Sequence, residues 1–124
     1  MNMFELSALN KTWILDVDGT LVKHNGYLLE GHDTLLGWEK EFLKKISPED
    51  KVVLMTARKE EYLPSLKEFL AQNNIRYDYL LTDMPMGERI LVNDNKPSGL
   101  NCAYAVNKKR DEGLNIEFKI NGEL

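Results

Sequence analysis

A single cysteine, Cys102, excludes an internal disulfide and any metal site built from cysteines alone. It lies in an apolar stretch with no evident histidine partner, which reads as a small buried thiol. Long hydrophobic runs are also missing, and nothing approaches the ~20 apolar residues that a bilayer-crossing helix needs. The opening Met1-Asn2-Met3-Phe4-Glu5 has neither the basic start nor the apolar run of a signal peptide, so a cytoplasmic protein is expected. Net positive charge is absent: the formal net charge is -4, and the one dense basic run, Lys108-Lys109-Arg110, meets Asp111-Glu112 at once. Binding to a nucleic-acid backbone calls for a clustered positive surface, so no nucleic-acid partner is expected. The basic run reads as a solvated turn. No repeat, low-complexity tract or linker interrupts the chain.

What is present is ordinary globular material. A chain of 124 residues with 43% hydrophobic and 29% charged residues suits one compact domain, 1–124. Thr12-Trp13-Ile14-Leu15, Val52-Val53-Leu54-Met55 and Ile90-Leu91-Val92 are short continuous apolar runs, as expected of parallel strands covered on both faces. Leu35, Trp38, Phe42 and Ile46 recur at helical spacing over 34–46, weakened locally by Gly37. Leu63, Leu66 and Leu70 form a second stripe, with Pro64 suited to a first helical turn. Tyr77–Leu81 and Cys102–Val106 read as further strands, and Ile116–Ile120 alternates like an edge strand. Strand and helix alternate, so the predicted fold class is α/β with a mainly parallel central sheet flanked by helices.

Each of the three apolar runs ends in a polar cluster: Asp16-Val17-Asp18, Thr56, and Asn93-Asp94. Ligands of open α/β sheets bind beyond the carboxyl ends of the strands, so one site would collect all three. Turn preference explains any one cluster, and explains all three together less well. Carboxylates from Asp16, Asp18 and Asp94 would make a hard, oxygen-rich site suited to magnesium. One aspartate beside a neutralised phosphate can act as a nucleophile, a second can carry a proton, and Thr56 can donate to the phosphoryl oxygens.

These residues resemble the motifs of the haloacid dehalogenase-like phosphohydrolase superfamily. An apolar strand followed by Asp-X-Asp-Gly-Thr is matched by Asp16-Val17-Asp18-Gly19-Thr20. An apolar strand ending in threonine is matched by Val52–Thr56, and one ending in an acidic pair by Ile90–Asp94. The resemblance spans about Thr12 to Val106. It implies a Rossmann-like core, a Mg2+ cofactor, Asp16 as nucleophile and metal ligand, and Asp18 as general acid/base and metal ligand through its carbonyl. An aspartate at that second position marks the phosphatase and phosphomutase branches. Thr56 would hold the phosphoryl group, and Asp94 and Asn93 would face the metal, with Asn93 replacing a usual carboxylate.

The superfamily lysine has no counterpart at its usual place, because Tyr77–Leu81 runs into Glu88-Arg89 with no helix between. Lys96 is the expected substitute, with Lys59 and Arg58 as competitors. Only 36 residues separate Thr20 from Thr56 and 37 separate Thr56 from Asn93, so no cap domain fits. An open site takes a large substrate or is covered by a neighbouring subunit, which makes a homo-oligomer conceivable. Lys23, His24, Asn25 and Tyr27 are the nearby candidates for substrate contact. Asp94-Asn95-Lys96-Pro97 resembles small phosphatases of capsule and surface-polysaccharide biosynthesis, so the expected activity is hydrolysis of a sugar phosphate or related small ester through an aspartyl-phosphate. The alternatives are a phosphotransferase or phosphomutase using the same nucleophile, and a non-catalytic phosphate- or protein-binding module.

Overall fold

The computed structural model describes residues 2–124. It shows mixed α/β content with parallel strand pairing and no barrel. Contacts gather in two compact units: Asn10–Pro85 with Lys108–Leu114, and residues 2–9 with Met86–Asn107 and Asn115–Leu124. No helix among the described residues is long and apolar enough to cross a membrane.

In the first unit, β2 (Thr12–Asp16), β3 (Lys51–Met55) and β4 (Tyr79–Leu81) form a parallel sheet in the order β2-β3-β4. Register pairs Asp16 with Met55, and Met55 with Leu81, so all three strands end level. Val52 and Leu54 on β3 are fully buried, as expected for the central strand. Asp50 fixes the other end of the sheet, where its carboxylate accepts from the Lys11 amide at 2.9 Å and the Trp13 indole at 2.9 Å. Helix α3 (Leu63–Gln72), entered through a 3-10 turn at Glu60–Tyr62, carries Pro64 in its first turn and buries Leu66 and Leu70. The helical stripe read from the sequence is confirmed there.

The expected helix over 34–46 is shorter: α2 covers Glu39–Lys45, and a single-turn α1 (Gly26–Leu29) precedes it. Gly37 takes φ +108°, a backbone conformation outside the helix. Buried Glu39 then caps α2 backwards, its two oxygens accepting the Leu36 and Gly37 amides at 2.9 Å each. Leu35 instead bridges to Val22, while Trp38 and Trp13 both pack edge-on against Phe42.

In the second unit, β1 (Asn2–Leu6) and β5 (Ile116–Ile120) pair in parallel. The alternation at Ile116–Ile120 thus marks a true strand, although its partner was not foreseen. Phe4 lies 5.2 Å from the Tyr104 ring. Met86–Asn107 contains no regular element, which corrects two expectations. Ile90-Leu91-Val92 is not a buried strand, its residues being 86%, 55% and 88% exposed. Cys102–Val106 is not a strand either, and Cys102 is only half-buried. The physical reason is common to both: a short apolar run becomes a strand only when a sheet satisfies its backbone, and in this unit the only strand pairing among the described residues is β1 with β5.

Candidate active site

Asp16 is the last residue of β2, and the chain turns immediately after it. The Val17 carbonyl accepts from the Leu21 amide at 2.9 Å and the Val22 amide at 3.1 Å, while the Gly19 amide donates to Val22 at 2.7 Å. Gly19 sits at φ +78°, where a side chain is strained, and an added Cβ would meet Arg110 Cγ at 3.0 Å. The glycine of the motif is therefore demanded both by its dihedral angle and by its neighbour. Val17 is buried between two aspartates that remain partly accessible. The Thr20 hydroxyl donates to Asp16 Oδ2 at 3.0 Å, and the Trp38 indole donates to the Thr20 carbonyl at 2.9 Å.

Thr56 follows β3 directly, so the Asp16–Met55 register places it beside the turn. Its hydroxyl donates to Asp18 Oδ2 at 2.8 Å and accepts the Arg58 amide at 3.1 Å. Asp16, Asp18 and Thr56 thus come together as the sequence predicts. Asp18 is held more firmly than expected. Arg58 Nε and Nη2 reach Asp18 Oδ1 at 3.0 and 2.8 Å, so each Asp18 oxygen already faces a donor.

Arg58 in turn spans a second carboxylate. Its Nη2 and Nη1 donate to Asp33 Oδ1 and Oδ2 at 2.6 and 3.0 Å, and its guanidinium lies 3.7 Å over the Tyr27 ring. The side chains of Arg58 and Asp33 are only 2% and 6% exposed. Burial opposes the arginine's charge, but hydrogen bonds to Asp33 and Asp18, then their charges, outweigh it and raise its pKa. Tyr27 stacks on Arg58 and meets Tyr62 edge-on at 5.1 Å. Burial raises its phenol pKa, and the Arg58 charge pulls the other way.

Three cations were candidates for the phosphate. Arg58 is the nearest to Thr56 and is committed to two carboxylates. Lys59 points outward, 72% exposed, with Asp83 at 4.0 Å. Lys96 belongs to the second unit, where its amide donates to the Leu100 carbonyl at 3.0 Å in an irregular, exposed segment. Asn93 and Asp94 lie on the same segment, the Asn93 amide donating to the Asp94 carbonyl at 3.2 Å.

Sequence reasoning missed a cation, Lys108, and the acid Asp33. Lys108 Nζ donates to the Gly19 carbonyl at 3.0 Å, to Lys109 at 2.8 Å and to Glu112. Burial lowers its pKa, against the pull of Asp111, Glu112, Glu39 and Asp16. The run 108–112 is a largely exposed turn as read, except that Lys108 is partly buried against the motif loop. Its only signal in the sequence was charge density. Asp33 had no signal at all.

Magnesium was expected here. The donor type of Asp16 and Asp18 is suitable, carboxylate oxygens being hard ligands. Among the described residues no three His, Cys, Asp or Glu side chains are grouped to hold a metal, and no buried side-chain nitrogen or oxygen lacks a partner. The case for the metal is thus one of donor chemistry. The chain matches no family model, no curated protein sequence and no solved structure.

Proposed function

We propose that this chain is a magnesium-dependent phosphatase of the haloacid dehalogenase-like kind, acting on small phosphate monoesters, sugar phosphates foremost. The observation that carries the reading is the meeting of Asp16, Asp18 and Thr56 at the level carboxyl ends of β2 and β3, with Thr56 2.8 Å from Asp18. Strand ends of this kind are where α/β proteins work.

In this reading an Asp16 oxygen attacks phosphorus, forming an acyl phosphate as the bond to the ester oxygen breaks. Asp18 supplies the proton to the departing oxygen and takes one back from the water that cleaves the acyl phosphate. To do so it exchanges one of its bonds to Thr56 or Arg58 for the substrate. Thr20 holds Asp16 in place through the 3.0 Å hydrogen bond, and Thr56 turns its hydroxyl to the phosphoryl oxygens. Asp16 and the Asp18 carbonyl would hold magnesium, which would neutralise phosphate charge.

The engaged state of Asp18 favours a second reading, a module that binds phosphate without turning it over. Hydrolysis of a panel of phosphate esters with and without magnesium separates the two. The expected outcome is magnesium-dependent phosphate release that Asp16→Asn abolishes without unfolding the chain. Near-normal release by that variant would sink the mechanism, and binding without release would favour the module.

A further inference from the structure

The segment after Asn107 brings a positive charge to the motif loop. Three bonds tie it there: Lys108 Nζ and the Asp111 amide donate to the Gly19 carbonyl at 3.0 and 2.8 Å, and the Asp111 carboxylate accepts the His24 amide at 2.7 Å. The stem of Arg110 lies over Gly19, so close that a Cβ at that glycine would meet its Cγ at 3.0 Å. Beyond the stem, the residue is exposed. Neither the Arg110 guanidinium nor the Lys109 ammonium has a hydrogen bond or ion pair among the described residues. The neighbouring Lys23 differs, because Glu30 already holds it at 2.7 Å.

An anchored stem with an uncommitted planar fork is a pre-organised receptor for a carboxylate or phosphate. In a chain of net charge -4, two uncommitted cations at the phosphate-chemistry loop call for an anionic partner. Resting on the phosphatase reading, we propose that Arg110, with Lys109 beside it, receives a second anionic group of the substrate. The substrate class is then a phosphomonoester that also bears a carboxylate, a sulfate or another phosphate.

Binding tests this whether or not the wild-type chain releases phosphate. Calorimetry on Asp16→Asn with magnesium present compares glucose 6-phosphate with 6-phosphogluconate, and fructose 6-phosphate with fructose 1,6-bisphosphate. The doubly anionic member of each pair is expected to bind about tenfold tighter, the scale of one charge-assisted contact. The gap should close when Arg110→Met is added, be partly retained with Arg110→Lys, and narrow at high salt, as for exposed charges. Equal affinities within both pairs, including no binding of either member, overturn the inference, as does a gap that survives Arg110→Met. No phosphate release by the wild-type chain, with the gap intact, overturns the hydrolase reading alone. A preference in only one pair tells a carboxylate receptor from a phosphate receptor.

Discussion

The two units of this chain spend their apolar residues differently. Among the described residues, every buried hydrophobic side chain of the core, from Val17, Leu21 and Val22 through Phe42, Ile46, Val52 and Leu54 to Leu66, Leu70 and Ile75, lies in the unit built on β2-β3-β4. The unit built on β1 and β5 leaves Met3, Met86, Ile90, Val92 and Leu124 exposed. A three-stranded sheet with a covering helix supports itself, whereas a two-stranded pair is marginal in water. The difference assigns stability to the first unit, together with the turn that carries Asp16 and Asp18. Asn93, Asp94 and Lys96 belong to the second unit, on a segment without regular structure.

Breaking the first unit's buried charge network should have the largest effect. Arg58→Ala strands Asp18 and Asp33, and removing one partner of a buried pair costs about 3–5 kcal/mol. Urea unfolding reads this, and a loss below about 1 kcal/mol, as for exposed pairs such as Lys59–Asp83, would erase the contrast. Core truncation comes next. Leu66→Ala, at a site 1% exposed, should cost about 2–5 kcal/mol, against about 0.5 or less for Ile90→Ala at 86% exposure. Equal losses at the two sites would show that the second unit is packed as tightly as the first.

The smallest effect concerns the β1–β5 pair. Asn121 Nδ2 donates to Glu5 Oε1 at 2.6 Å, and this bond, followed by the Lys119 charge, lowers the Glu5 pKa from its ordinary 4.5. A carboxylate lowered on folding adds stability above the unfolded value and loses it as pH falls through the folded one. NMR titration of Glu5 should therefore give a midpoint below 4.5 that rises in Asn121→Ala. An unmoved midpoint would mean the pair is not formed in solution.

Legibility in the sequence follows the same division. Val52–Met55 and the Leu63, Leu66 and Leu70 stripe could be read because local pattern and burial agree in them, whereas Thr12–Asp16 is a strand as read although Ile14 within it is 49% exposed. Asp16, Asp18 and Thr56 could be read because each lies at or just beyond the end of a strand. Ile90–Val92 has the composition of a strand, yet composition does not supply a hydrogen-bonding partner. Arg58 was visible as a cation near Thr56, but its bond to Asp33 spans 25 residues and leaves no local trace. The Lys108–Asp111 contacts to Gly19 and His24 span still more of the chain, which is why a charge run alone read as solvated. The helix over 34–46 was overestimated because an apolar stripe does not report Gly37's dihedral or Glu39's backward cap.

The central claim is that Asp16 is a phosphate-accepting nucleophile. Its most direct test is acid quenching during turnover of an aryl phosphate with magnesium, followed by mass spectrometry of the peptide that contains Asp16. The account predicts one phosphoryl group on Asp16, absent in Asp16→Asn. Phosphate release with no phosphoryl group on that peptide, or undiminished release by Asp16→Asn, would contradict it.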